Sequence, residues 1–310
     1  MEWWISFFSA AVIAGTPLLF ATLGGIINER AGHTNLGVEG MMIMGAVVGF
    51  SVALHTSNAV LAMLLAAVAG ALGASIYAVL TVTLRTNHVV TGLTLTIFGT
   101  GFANFMGQSM VGQSTPTAVK AFFSNISIPV LSKIPVLGPI FFQKDIFIYF
   151  GYILVILTGL YLYHTRLGLN LRAIGENPAA ADAASVPVTL YKYVHLLWGG
   201  ALCGLGGSYL SLVYVQSWQT SITAGMGWIA VALVIFSTWN PYKVFLSAYL
   251  FGGLSILGFR LQSAGIHISQ HLLDMTPYVV TILVLVFLSM DERKSAGPKS
   301  LGNPYFREER

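Results

Sequence analysis

Long apolar stretches recur along the whole chain, and they limit its fold more than any single motif does. A helix needs about 20 apolar residues to cross the hydrocarbon core of a bilayer. Nine stretches approach that length: residues 3–27, 34–54, 58–84, 88–110, 146–164, 190–215, 222–238, 241–259 and 270–289. The sequence therefore predicts an all-α, polytopic transmembrane helical bundle of about nine spans (eight to ten), which forms a single domain over residues 1–290.

Composition agrees with a membrane protein. Hydrophobic residues make up 55% of the 310 residues and charged residues 8%, against about a quarter charged in an ordinary soluble domain. The net charge of +4 does not indicate a nucleic-acid partner, because the basic residues are scattered and form no stripe. The single cysteine, Cys203, lies in an apolar segment, which excludes an intrachain disulfide and a cysteine-cluster metal site.

The distribution of Lys and Arg predicts the orientation, since cytoplasmic loops carry the excess of basic residues. If residues 166–190 are cytoplasmic, eleven basic residues share that side: Arg30, Arg85, Arg166, Arg172, Lys192, Lys243, Arg293, Lys294, Lys299, Arg307 and Arg310. Only four lie on the other side: Lys120, Lys133, Lys144 and Arg260. We therefore expect the N-terminus outside and the C-terminus in the cytoplasm.

Residues 166–190 are the longest stretch between two apolar runs that a bilayer could not hold. Within this stretch, Asn177 can accept hydrogen bonds from the first turn of a helix, and Pro178 suits the first helical position. Alanines follow, and Pro187 disfavours a helical conformation at the residue before it. The sequence predicts one short cytoplasmic helix over residues 178–185.

Two other segments lie outside the predicted spans. Residues 111–145 are apolar but contain four prolines, so we expect them to lie along the outer membrane surface or to cap the bundle. Residues 291–310 combine mixed charges with glycine and proline, which is typical of a solvated, loosely ordered cytoplasmic tail.

The second and seventh spans begin in a similar way. Each starts from a polar, glycine-containing segment, HTNLGVEG at 33–40 and TSITAGMG at 220–227, and then becomes apolar. Such a pair in opposite orientations indicates a possible inverted repeat with the transport path at its interface. Alternatively, the glycines allow helices to approach closely. The two explanations are compatible.

Glu39 is an acid within an apolar stretch, where an unpaired carboxylate is costly and a paired or functional role is the default. Polar residues at the same end that could pair with it are Asn28, Arg30, His33 and Asn35. We favour a structural pairing over substrate contact, and we keep Asn35 and Glu39 as candidates for the translocation path. A proton relay is disfavoured, because the other acids lie near ends or in loops.

A polar stripe marks the fourth span. Thr96, Thr100, Asn104 and Gln108 recur every four residues and share a helix face. This face either bonds to neighbouring helices or lines an aqueous path. Near the outer end of the sixth span, a further group of polar and aromatic side chains suits a small neutral solute such as a nucleoside or sugar: Ser208, Ser211, Tyr214, Gln216, Trp218 and Gln219. An interfacial aromatic belt explains Tyr214 and Trp218 equally well.

The residues do not point to a reaction. His267 and His271 are four residues apart but have no evident third ligand, so we expect no metal site there. The sequence has no glycine-rich loop ending in Lys-Ser or Lys-Thr, so we expect no ATPase site and no cofactor in this chain. An energy source, if one exists, lies in another subunit.

Two motifs resemble a known family. The segment from Arg30 to Met42, with NLGVEGMM at 35–42, and the segment from Gly168 to Ala184, with GLNLRAIGENP at 168–178, are similar to permease subunits of ABC importers in the branched-chain amino acid and ribose permease superfamily. The resemblance covers residues 16–288 and is closest to the shorter permease of nucleoside (guanosine-type) uptake systems. Ser185 stands where the family usually has glycine, which affects only the exit from the short helix.

The resemblance implies a bacterial cell-membrane importer with several partners. Residues 166–190 would be the cytoplasmic coupling segment that docks on a separate ABC ATPase subunit. The docking residues would be Arg172, Glu176, Asn177, Pro178, Ala180, Ala181, Asp182, Ala183 and Ala184. A second, longer permease would complete the pore, and an extracytoplasmic solute-binding lipoprotein would deliver a nucleoside. The alternatives are a ribose-type sugar permease and an ion-coupled secondary carrier.

Overall fold

Helices account for most of the chain in the computed structural model, which describes residues 2–263, 269–289 and 297–306. In chain order they are α1 (Glu2–Arg30), α2 (Val38–Thr56), α3 (Ala59–Ala78), α4 (His88–Gly107), α5 (Thr117–Phe122), α6 (Leu137–Phe141), α7 (Ile146–His164), α8 (Arg166–Glu176), α9 (Pro178–Ala183), α10 (Val188–Tyr209), α11 (Met226–Phe236), α12 (Pro241–Ser263) and α13 (Gln270–Ser289). Single π-helical turns, Val79–Thr83 and Leu210–Tyr214, extend α3 and α10.

A helix lies at each of the nine predicted spans, but the helices are not equivalent. Six of those described are long and apolar enough to cross a membrane: α1, α2, α3 with its π-turn, α4, α7 and α10 with its π-turn. The seventh predicted span, 222–238, contains only the 11-residue helix α11, which at about 1.5 Å per residue is too short to cross alone. The structure therefore supports a helical membrane bundle, while the number nine stays a prediction.

Helix α10 lies at the centre of the bundle. Helix α10 packs against α1, α2 and α3, and α1 also packs along α12. In the apolar stretches of α1 and α10, 89% and 78% of the residues are buried, against 28% in α4. Small residues allow the closest approach: a Cβ on Gly45 of α2 would collide with the backbone of Gly204 in α10. Glycines in these spans therefore serve helix packing, as one of the two explanations held.

Residues 111–145 form a folded cap at the end of the bundle where α1 begins. The cap contains α5, α6 and a two-residue antiparallel ladder, in which β1 (Ile126–Ser127) pairs with β2 (Gln143–Lys144). Lys144 is buried and donates to the Ser9 carbonyl oxygen at 2.9 Å. Burial lowers the pKa of Lys144 to about 8, against the opposing influence of Asp145. This ladder is a small departure from the predicted all-α fold.

Part of the predicted tail is ordered, contrary to expectation. Residues 297–306 fold back under the bundle at the end that carries α8 and α9. The backbone N–H of Ser300 donates to the Gly175 carbonyl at 2.9 Å, and that of Gly302 donates to the Gly32 carbonyl at 3.1 Å. The Tyr305 hydroxyl donates to the Asp182 carboxylate at 2.8 Å. A solvated, loosely ordered tail is therefore wrong for this part, since it bonds to three separate segments.

Candidate functional site

The carboxylate of Glu39 joins the two segments with similar sequences. Its Oε1 accepts from the Thr223 hydroxyl at 2.5 Å and from the Gly225 N–H at 3.0 Å, while its Oε2 accepts from the Gly227 N–H at 2.6 Å. Gly227 lies in the first turn of α11, and Thr223 and Gly225 lie in the turn before it, while Glu39 itself lies in the first turn of α2. We call this contact the Glu39 junction.

Helix ends explain why an acid is stable in this buried position. The first N–H groups of a helix have no intrahelical acceptor, and the helix dipole favours negative charge there. Glu39 lies at two such ends, the start of its own helix and the start of α11. Gly225 adopts a left-handed φ of +83°, which favours glycine and turns its N–H toward the carboxylate. Pairing with Asn28, Arg30, His33 or Asn35 was expected, but the recorded partners all belong to α11 and the turn before it.

The other end of α11 also bonds to α1. The Trp239 indole N–H donates to the Glu29 carboxylate at 2.5 Å, and the Arg30 guanidinium donates to the Trp239 carbonyl at 3.0 Å. Glu29 at the end of α1 and Glu39 at the start of α2 thus both contact residues at or beside the ends of α11. The short helix is therefore held by polar contacts at both ends.

The polar stripe of α4 runs from the buried interior to an exposed surface. The Thr96 hydroxyl donates to the Leu36 carbonyl at 3.0 Å, and Thr100 donates to the Thr96 carbonyl at 2.9 Å. Both threonines are half-buried, whereas Asn104 and Gln108 are exposed. The structure brings Asn35, Glu39 and Thr96 to one region at the start of α2. The rest of the stripe continues along α4 away from it.

Trp218 lies near the far end of this stripe. Its side chain is 1% exposed and packs over Gly107 and beside Phe50. Its indole N–H has no hydrogen-bond partner among the described residues. This burial excludes the aromatic-belt explanation for Trp218.

Ser211 donates to the Ala46 carbonyl at 3.0 Å, so this hydroxyl links the π-turn that extends α10 to α2.

A group of buried polar side chains near the α1–α2 turn was not predicted as a group. The rings of His33 and His88 stack with centroids 4.4 Å apart. None of their nitrogens has a partner in the described part of the chain, nor do the side-chain amide of Asn28 and the Asn35 Nδ2 atom. Burial, with contributions from Lys192 and His88, lowers the pKa of His33 well below its ordinary value. The His33 ring is therefore neutral near pH 7.

The predicted coupling segment contains two helices. Helix α9 starts at Pro178, and the Asn177 side chain accepts from the Ala180 N–H at 3.0 Å, as predicted. The helix ends at Ala183, two residues earlier than expected, and Ser185 then adopts a left-handed φ of 63°. Helix α8 was missed. Its signal is Thr165, whose hydroxyl accepts from the Gly168 N–H at 3.0 Å and caps the helix.

The coupling segment has an inward and an outward face. Ala181 is buried in a small apolar cluster with Ile174 and Val188, and Asp182 accepts from Tyr305. Arg172 is half-buried, with its guanidinium 5.4 Å from the ring of Tyr163. The exposed residues of the predicted docking set are Glu176, Asn177, Ala180, Ala183 and Ala184; Pro178 is half-buried. This exposed set defines the outward face of α8–α9.

A second anchor holds α8 on the bundle. The Asn170 side-chain amide donates to the Tyr191 hydroxyl at 3.0 Å. The Tyr191 ring stacks on His195, whose Nε2 bonds to the Tyr161 hydroxyl at 2.6 Å. These contacts connect α8 with α10 and α7.

The helical bundle and its apolar spans define a multi-pass membrane protein, and a family model identifies its kind. Residues 7–288 match the family described as branched-chain amino acid transport system, permease component. The chain belongs to this family. No solved structure matches it.

Three relatives match over almost the full length. The nucleoside ABC transporter permease protein NupC of Lactococcus lactis is 36% identical over 96% of this chain and 95% of its own. The putative glucose ABC transporter permease protein TsgC13 of Haloferax volcanii is 35% identical over 97% of both chains. The guanosine ABC transporter permease protein NupQ of Bacillus subtilis is 32% identical over 97% of this chain and 96% of its own. The chain is therefore a permease subunit of an ABC transporter.

Each of these three organisms also has a second, more distant permease protein that matches. Those three matches are 23–27% identical and cover 68–78% of the relatives' own lengths. The additional length distinguishes them from the first three relatives, which have nearly the same length as this chain.

Proposed function

We propose that this chain is the shorter permease of an ABC importer for nucleosides. The observation that carries the proposal is the near-full-length similarity to two permeases whose names specify nucleoside and guanosine transport. The bundle adds a physical argument. Its polar side chains near the start of α2 and along α4 are mostly uncharged, which suits a neutral solute with several hydrogen-bonding groups.

A glucose or other sugar importer is the second candidate. It is favoured by the glucose permease relative, which is as similar to this chain as the nucleoside permeases are. Nucleosides and sugars both carry several hydroxyl groups, so amide and hydroxyl side chains suit either substrate. A transport measurement must separate the two candidates.

The outward face of α8–α9 is the proposed ATPase-docking surface. It presents small alanine side chains on a helix whose opposite face is anchored by Ala181, Asp182 and Tyr305. Small side chains permit close entry into a groove of another protein, and Glu176 and Arg172 at the flank supply charges that can set the register. Because α8 also bonds to Tyr191, closure of the ATPase would move α10 with the docking helix.

The proposed translocation path follows Asn35, Glu39, Thr96, Thr100, Asn104, Gln108 and Trp218. Asn104 and Gln108 are exposed on a helix that is only 28% buried over its apolar stretch. Amide groups are costly against lipid, so this face of α4 is expected to meet protein or an aqueous path. A second, longer permease would supply the other wall. The three paired relatives support such a two-chain pore.

The remaining parts of the proposal are the partners and the membrane orientation. An extracytoplasmic solute-binding lipoprotein would deliver substrate at the end capped by residues 111–145. The N-terminus would lie outside, and α8–α9 and residues 297–306 would lie in the cytoplasm of a bacterial inner membrane. The excess of Lys and Arg at the α8–α9 end supports this orientation. The meeting of the starts of α2 and α11 at Glu39 is compatible with an inverted repeat.

Uptake of labelled substrate tests the function directly. The chain is expressed with its ATPase, second permease and binding protein in cells that lack other nucleoside and glucose uptake systems. We expect ATP-dependent uptake of guanosine that excess unlabelled nucleosides suppress and glucose does not. Uptake of glucose alone would establish the sugar candidate. Uptake without any ATPase subunit would contradict the ABC assignment.

A further inference from the structure

A cavity of about 620 Å³ lies beside the anchored face of α9. Its wall is formed by the end of α3, the connection to α4, the start of α10, and residues from α9 and the ordered tail. The lining side chains used below are Arg85, Asp182, Lys192, Tyr193 and Tyr305. Of these side chains, Asp182 alone belongs to the predicted docking set, and none belongs to the proposed translocation path.

Lys192 is the unexplained charge in this wall. The residue is 3% exposed, yet its ammonium forms no hydrogen bond or ion pair among the described residues. Its one recorded contact is with the ring face of Tyr305, at 5.9 Å. A buried ammonium without an anionic partner is costly. Lys192 also lines the cavity, so an anion bound there would remove this cost.

Two further charged side chains are among the described residues that line the cavity, one basic and one acidic. Arg85 lies over the ring of Phe306 at 4.7 Å, and the Asp182 carboxylate accepts from the Tyr305 hydroxyl. Among the described lining residues, Arg85 and Lys192 are basic and Asp182 is acidic, so basic side chains predominate. The Tyr193 hydroxyl, hydrogen-bonded to Thr83 at 2.5 Å, adds a group that can donate to or accept from a ligand. The cavity therefore suits a compact anion with several acceptor oxygens.

The size of the cavity favours a phosphate that is part of a larger molecule. A volume of about 620 Å³ lies within the usual range for pockets that hold organic ligands, about 300–1,000 Å³. Leu190 lines the cavity and is exposed, and Leu84 next to Arg85 is exposed as well. Apolar groups at the mouth allow acyl chains to leave along the outer surface of the bundle. Basic pockets between membrane helices commonly bind lipid head groups.

We propose that this cavity binds a phosphate-bearing anion, with the Lys192 ammonium as the central contact and Arg85 at the rim. The phosphate belongs either to an anionic phospholipid at the membrane surface or to a free phosphate compound. Because Asp182 of α9 and Tyr305 of the tail share the wall, bound anion would contact the same elements that hold the docking helix. The proposal does not depend on which substrate is transported.

Binding to the full chain purified in a mild zwitterionic detergent tests the proposal. The probes are dioctanoyl phosphatidylglycerol, dioctanoyl phosphatidylcholine and inorganic phosphate, each titrated at constant ionic strength while thermal stabilisation is measured. We expect saturable binding of phosphatidylglycerol or of phosphate. Lys192→Met should weaken that binding about ten- to a hundredfold, because one charge-assisted contact is lost, and Lys192→Arg should largely retain it.

The matched control is Lys243→Met, which removes an exposed cation in the first turn of α12 and should leave binding unchanged. If Lys192→Met does not fold, Thr189→Glu provides a second test, because it adds a negative charge to the exposed mouth of the cavity. Binding of phosphatidylglycerol alone identifies the lipid as the source, and binding of inorganic phosphate identifies a free phosphate compound. Absence of binding by both anionic probes overturns the proposal. So does equal binding in wild type and in the variants Lys192→Met or Thr189→Glu.

Discussion

Two polar segments in this apolar protein use their charges in opposite ways. At the Glu39 junction, the carboxylate is buried and its recorded hydrogen bonds come from donors of the same chain. On the outward face of α8–α9, Glu176 and Asn177 are exposed beside three exposed alanines. A polar group that is satisfied within the chain stabilises the architecture, whereas one left at a shaped surface is available to a partner. The two segments should therefore respond differently to the same kind of substitution.

The largest expected effect is loss of the Glu39 junction. Glu39→Leu leaves two backbone N–H groups and the Thr223 hydroxyl without an acceptor in a buried site, which should cost about 3–5 kcal/mol of stability. The thermal midpoint of the detergent-solubilised protein measures this loss. Glu176→Leu is the control from the exposed segment and should change the midpoint little. Equal midpoints for the two variants would remove the distinction between the segments.

A bulky residue on the outward face should produce the converse result. Ala180→Trp keeps a helix-compatible residue at an exposed position. The free energy of unfolding should therefore stay within about 0.5 kcal/mol of the wild-type value. Its ring would occupy the space needed by the ATPase groove and should weaken association by about a hundredfold or more, as for a central interface position. Co-purification of the ATPase measures the effect, and Lys243→Trp is the exposed control. Unchanged association would mean that α9 is not the docking helix.

The polar stripe of α4 should give an intermediate effect. Asn104→Leu removes an exposed amide that we assign to the translocation path, so substrate uptake should fall about tenfold. Assembly with the ATPase should persist, because Asn104 lies in the last turn of α4, about 24 Å along the helix from the end near Arg85 and the ordered tail. Ile97→Leu, an apolar exchange on the same helix, should leave uptake unaltered. Loss of assembly in Asn104→Leu would instead assign the stripe to helix packing or to the second permease.

The smallest expected effect concerns the anchor beneath α9. Tyr305→Phe removes the hydrogen bond to Asp182, which should cost about 0.5–1.5 kcal/mol locally. Hydrogen exchange at the α9 amides should become roughly two- to tenfold faster, while amides at the Glu39 junction keep their protection. Faster exchange at both sites would indicate that the tail stabilises the whole bundle rather than the docking helix.

Local features were predictable and distant pairings were not. The start of α9 at Pro178 and its cap by Asn177 depend on neighbouring residues, so the sequence alone located them. The partners of Glu39 lie more than 180 residues away along the chain, and two of them are backbone N–H groups. Backbone donors carry no side-chain signal in a sequence, which is why nearby polar side chains were named instead.

The order of the tail and the burial of Trp218 were not predictable for a related reason. Composition indicates whether a segment can form its own core, and residues 297–306 cannot. It does not indicate that a preformed surface at Gly32, Gly175 and Asp182 supplies the missing contacts. Trp218 follows the sixth span, where an aromatic belt is common, but its burial depends on the space left by Gly107 of α4. The short length of α11 was not predicted, because the positive φ values that interrupt the helix, at Gly225 before it and at Thr238 after it, leave no clear signal in the composition of residues 222–238.

The position of residues 297–306 late in the sequence determines when α9 gains its anchor during synthesis. Residues 297–306 leave the ribosome after helices α1 to α13, yet they supply bonds to Gly175 of α8 and Asp182 of α9. A nascent chain that has already inserted its spans therefore still presents α9 without its anchor. Under the docking role proposed for α9, an incomplete permease would offer the ATPase a helix without its final support, because that support comes from residues 297–306.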